Sequence, residues 1–244
     1  MKQVSALSYL LVIVSFLVCL LSLVVETAPT PGYTGVWRNP CEDTTPSFEP
    51  YNTTNQEKSM VLSDINTNLN EAENIATDIK NEYRLHRVAS QVSNETCVSN
   101  FEDNLDNIYL HVPGFPDLST YFVGSDAIAI CANISAALLH DYKNLVRVMI
   151  YLEETIQEEH DESYEQQLKN LHDAIKGVMC KFHVLEQPCG LEEQGLNVTD
   201  IIKQYKVSRQ NERDYLLIRD TIILMRGLHK RYNTCNALYS KTSG

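Results

Sequence analysis

The sequence predicts an all-α fold: an up-up-down-down long-chain four-helix bundle with two long crossover loops. Three observations carry this expectation. Prolines fall at only three places: Pro29 to Pro50, Pro113 with Pro116, and Pro188 alone. The proline-free stretches between them are long enough for long helices. Within those stretches apolar residues recur at three- and four-residue steps, the period of a helix buried on one face. The connections between the resulting helices are long, short and long.

The leader comes first. Lys2 precedes an apolar run, Leu7 to Val25, which breaks at TAPTPG. This reads as a secretory signal peptide over 1–28, cleaved near Ala28. A retained anchor is the rival reading, since about 20 apolar residues suffice to span a bilayer. Residues 29–54, rich in Pro and Thr, read as an extended arm tethered through Cys41, ahead of a helical domain over 55–244.

The rest of the chain fits export. Sequons stand at Asn52, Asn94, Asn133 and Asn197, and mark expected N-glycosylation. Of seven cysteines, Cys19 lies in the leader. Cys41, Cys97, Cys131, Cys180, Cys189 and Cys235 remain, an even set consistent with up to three disulfides. Spacing leaves their pairing open.

A first helix is expected from about Gln56 to His86, with Leu62, Ile65, Leu69, Ala72, Ile75, Ile79 and Tyr83 on one stripe. A second runs from about Ser125, with Ser125 or Asp126 as N-cap, to Glu159. Its stripe is Ile134, Leu138, Tyr142, Leu145, Met149, Leu152 and Ile156. A third, about Ser163 to Phe182, carries Tyr164, Leu168, Leu171, Ile175, Val178 and Phe182 in the cleanest heptad-like pattern. A fourth, about Val207 to Tyr232, carries Leu217, Thr221, Leu224 and Leu228, widened by Ile218, Ile222, Met225 and Tyr232. Gly227 inside it marks either a close helix contact or a tolerated loss of about 1 kcal/mol. The EEHDES link between the second and third helices is short, which makes them antiparallel neighbours. The two other links are long enough to run the length of a bundle, as in growth hormones and cytokines.

The formal net charge is −12, and it survives loss of the leader, because Lys2 and Glu26 leave together. This sign argues against binding to nucleic acid. No Gly-rich phosphate loop, GxSxG elbow or HExxH stands in the chain. The acidic run Glu153 to Glu162 reads as a solvated turn rather than a calcium site. We therefore expect a binding protein, not an enzyme, with no catalytic residue, metal, cofactor or small-molecule substrate, acting as a monomer. The candidate surface is on the fourth helix: Arg219, Ile223, Arg226 and Lys230 share one face, extended by Leu216 and Glu212. Arg and apolar anchors are the usual hot spots of an interface. The alternatives are a plain solvated face, or Ile223 covered by the first crossover.

The Cys180-Lys-Phe-His-Val segment, Tyr-Leu-Glu-Glu late in the second helix, and DYLLIRDTIILMRGLHKRY in the fourth resemble the interleukin-6 family of long-chain cytokines. The leukaemia inhibitory factor and ciliary neurotrophic factor-like branch is the most similar. The resemblance implies a secreted ligand that bridges class I cytokine receptor chains and activates JAK–STAT signalling. It implies one receptor chain on the outer faces of the first and fourth helices, and a second on the first and third. A third would meet the start of the fourth helix with the first crossover. It also implies a Cys41–Cys180 bridge. The Phe-x-x-Lys motif of that branch is absent where IIKQYKVSRQNERDY stands, so that hot spot is not carried over. The competing class is a membrane-anchored or secreted structural or adhesive glycoprotein without a signalling role.

Overall fold

The computed structural model describes residues 40–41, 54–83, 111–122, 127–185, 198–205 and 210–242. The leader, most of the arm, and Cys19, Cys97, Cys189, Asn52, Asn94 and Asn197 lie outside the described residues. So do Ser125 and Asp126, the expected N-caps. The described residues are mostly helical with no strand among them, and all lie in one unit over 35–244.

Four long helices dominate, and each grows from its own sequence. Helix α1 spans Asn55–Tyr83. It opens on a capping box: the Thr54 backbone N–H donates to Glu57 Oε2 at 2.8 Å, and the Glu57 N–H to Thr54 Oγ1 at 3.3 Å. Leu62, Ile65, Leu69, Ala72, Ala76, Ile79 and Tyr83 are buried, while Ile75 is only partly so and packs at the edge.

The expected second helix is two. Helix α3, Ala127–Ala132, and helix α4, Ile134–Glu158, are separated by Asn133 at φ −123°, ψ 56°. Helix α5, Glu162–Leu185, follows a tight turn built by acidic side chains. Glu159 Oε1 accepts from the backbone N–H groups of His160 and Asp161 at 2.7 and 2.8 Å. Asp161 Oδ1 accepts from those of Ser163 and Tyr164 at 3.0 and 3.3 Å, and so starts α5. The acidic run is thus partly internal to the turn rather than wholly solvated.

Helix α7, Gln210–Thr242, runs ten residues further than expected, and the expected start at Val207 lies outside the described residues. Beyond Tyr232 it is held by the Cys131–Cys235 disulfide, and by Tyr239, whose hydroxyl donates to the Cys131 carbonyl at 2.8 Å. Among the described residues of the connections stand two short helices: α2, Ser119–Phe122, and α6, Val198–Tyr205. The second of these occupies a stretch expected to be loop.

The long helices pack in four pairs. Between α1 and α7, Ser59 meets Asn236, Glu73 meets Arg226, and Lys80 lies over the Tyr215 ring. Between α1 and α5, Asp64 meets Lys181 and Glu82 meets Gln167. Between α4 and α5, Glu153 meets His172. Between α4 and α7, Asp141 meets Arg231 and Glu158 meets Arg213. Wherever a pair is linked twice, residue numbers rise along one helix as they fall along the other. The core fills the space between them, with the Phe182 ring edge-on to Tyr232 at 5.1 Å.

Candidate functional site

The expected surface of α7 meets the structure residue by residue. Glu212 is partly exposed at the start of the helix. Leu216 is 0% exposed and belongs to the core, so it is not a surface anchor. Arg219 keeps only 11% of its side chain exposed. Its Nε and Nη2 donate to Asp220 Oδ1 at 2.9 and 2.7 Å, so its guanidinium is engaged within the protein. Ile223 is partly buried and packs against the core. Arg226 is 64% exposed and donates to Glu73 of α1 at 2.9 Å. Lys230 is exposed. The helical spacing holds, but the solvent-facing stripe is narrower and more polar than expected.

The 111–122 connector is fastened along α7. Asp220, fully buried, accepts from the Val112 backbone N–H at 2.8 Å and faces His111 Nδ1 at 3.4 Å. Val112, Phe115, Leu118 and Tyr121 are buried, and the Tyr151 hydroxyl donates to the Pro113 carbonyl at 3.3 Å. Gly114 has φ 77°, the left-handed conformation that glycine adopts without steric cost.

A second buried carboxylate closes the connector. Asp141 accepts from the Tyr121 hydroxyl at 2.8 Å, the Tyr232 hydroxyl at 2.6 Å, and Arg231 Nη1 at 2.6 and 2.7 Å. The Arg231 guanidinium lies 4.3 Å from the centre of the Tyr121 ring. Arg231 also donates to the Thr120 carbonyl at 3.3 Å. Burial disfavours the charged form of Asp141. The hydrogen bond from His140, the Arg231 charge and the Tyr232 hydroxyl outweigh it and hold the carboxyl below its ordinary range.

Asp141 and Asp220 lie outside the surface that the sequence predicts, yet the sequence carries a signal for them. Asp141 stands three residues after Leu138 and four before Leu145, and Asp220 three after Leu217 and four before Leu224. An acidic residue in core phase must be paired when buried.

Of the four sequons, Asn133 alone falls among the described residues. It is exposed at the break between α3 and α4, and its side chain makes no capping hydrogen bond. Among the described residues two disulfides are formed, Cys41–Cys180 and Cys131–Cys235. Among the described residues no helix is long and apolar enough to cross a membrane, and no group of His, Cys, Asp or Glu is arranged to hold a metal ion. No protein-family model, no curated protein and no solved structure matches the chain.

Proposed function

We propose that the chain is a secreted cytokine that bridges class I cytokine receptor chains of the interleukin-6 family type and activates JAK–STAT signalling. In this reading the four long helices form an up-up-down-down long-chain bundle. The pairing of helices is the observation that carries it. Helix α1 is neighbour to α5 and α7, and α4 is neighbour to the same two. The order of the contacts favours α1 and α4 running one way and α5 and α7 the other. That arrangement needs a chain-length crossover on each side of the tight α4–α5 turn.

Export is supported by the leader sequence, by two disulfides, and by an exposed sequon at Asn133. The receptor-facing part of α7 reduces to Arg226 and Lys230, with Glu212 and the exposed edge of Ile223. Leu216 and Arg219 serve the fold. The mature monomeric glycoprotein should capture cytokine receptor chains from detergent-solubilised cells of the source animal and raise STAT phosphorylation in them. Failure to do either would leave the structural or adhesive reading in its place.

A further inference from the structure

The half of the bundle that holds the α4–α5 turn contains two ionisable groups whose surroundings favour their protonated forms. The first is Asp214, in the second turn of α7. It is 1% exposed, and among the described residues neither carboxylate oxygen has a hydrogen-bond donor. Among the described residues its cation is Arg213, whose Nε stands 3.5 Å from Oδ1 as an ion pair without hydrogen-bond geometry, and which also engages Glu158 of α4. The charges acting on Asp214 are Arg213 from its own helix and Glu159 and Glu158 from the end of α4. Helices α1 and α5 bring the Tyr83 and Tyr164 rings to this half, 5.6 Å apart, with Lys80 of α1 over Tyr215. An ionised Asp214 would be a third carboxylate, and the most buried of the three, around one shared guanidinium. A neutral one avoids that repulsion.

The second group is His172 of α5, 14% exposed. Its Nε2 faces Glu153 Oε1 of α4 at 3.5 Å, and its Nδ1 faces Asp173 Oδ1 of its own helix at 3.3 Å. A neutral imidazole has one N–H, so it can donate to only one of these carboxylates. The imidazolium donates to both. Burial and both carboxylates act on His172, and the carboxylates win: its pKa is raised.

We propose that this half of the bundle is a proton-operated clasp, in which neutral Asp214 and charged His172 hold α7 and α5 against α4, and which loosens as the two groups lose their protons. The fold is then tightest in mildly acidic surroundings. Burial pushes the Asp214 carboxyl up to about 7, so its contribution declines between the ordinary carboxylate range and neutrality. That of His172 is lost above the ordinary imidazole range.

Amide hydrogen exchange on the full mature chain tests the clasp, with rates corrected for the pH dependence of intrinsic exchange. Between pH 5.5 and 8, opening of residues 150–165 and 210–217 should rise with pH, by at most about tenfold per pH unit for each group titrating. Asp214→Asn mimics the neutral acid and should fold, keep this half protected at pH 8 and remove its share of the slope. His172→Gln should remove the other share, and the double variant should be flat. The His172 ring should titrate by NMR with a midpoint above 6.5. A wild-type chain with no slope, a slope that survives in the double variant, or a His172 midpoint below 6.5 would each overturn the proposal. So would an Asp214→Asn chain that fails to fold, since neutrality at 214 is the closed state.

Discussion

Gly227 of α7 and Tyr121 of the connector approach so closely that a Cβ at residue 227 would stand 2.6 Å from the Tyr121 Cβ. The obstructing atom is the root of a side chain, not its flexible end, so the connector or the helix would have to shift. Gly227→Ala would gain about 1 kcal/mol in helix propensity but lose more by overpacking. The net expectation is a loss of about 1–2 kcal/mol in urea denaturation. A stabilised variant would mean that the connector does not cross α7 there.

Asp141 is the next point of leverage. Removing it in Asp141→Ala leaves the largely buried Arg231 without its counter-charge and two tyrosine hydroxyls without an acceptor. Breaking such a buried pair from one side costs about 3–5 kcal/mol. Because the folded-state pKa of Asp141 is depressed, its stabilisation is present above the ordinary carboxylate range and is lost as pH falls through the folded value. Acid denaturation followed by circular dichroism should therefore show an unfolding step below about pH 4 that the variant lacks.

Arg219 and Arg226 should separate structure from recognition. Arg219→Glu places a second carboxylate beside buried Asp220, and is expected to cost about 2–4 kcal/mol. Arg226→Glu breaks a pair in which the arginine is exposed and Glu73 is only 17% so, and should cost about 1 kcal/mol, less than Arg219→Glu. Receptor capture by Arg226→Glu combined with Lys230→Glu then reads the surface alone. Undiminished capture by that folded double variant would remove α7 from the interface.

Leu216→Ala belongs to the same comparison. As a core residue it should cost about 2–5 kcal/mol on truncation, with any loss of binding following the loss of fold. Had it been a surface anchor, binding would fall while the melting temperature stayed unchanged.

The Cys131–Cys235 disulfide joins the start of the α3–α4 region to the last turns of α7 across 104 residues. Replacing both cysteines by serine should destabilise the chain by about 2–5 kcal/mol. It should also raise amide exchange beyond residue 232, where α7 outruns the expected helix. Equal exchange with and without the disulfide would assign that extension to packing of Leu238 and Tyr239 instead.

The sequence by itself determined where the four long helices lie and which stripe of each is buried, because helical periodicity is local. Leu168, Leu171, Ile175 and Val178 of α5 sit in the core as their 3–4 spacing demands. The acidic turn before α5 was legible for the same reason: its caps reach only two or three residues along the chain. Tertiary structure alone decided how wide the buried face of α7 is. Whether Leu216 and Arg219 meet solvent depends on what lies against α7, and the fastening of the connector is set by pairings such as Asp220 with Val112, 108 residues away. The break at Asn133, the C-terminal extension of α7, and the choice of Cys235 as partner of Cys131 are likewise properties of the packed helices. A period in one segment carries no record of the distant segment that will cover it.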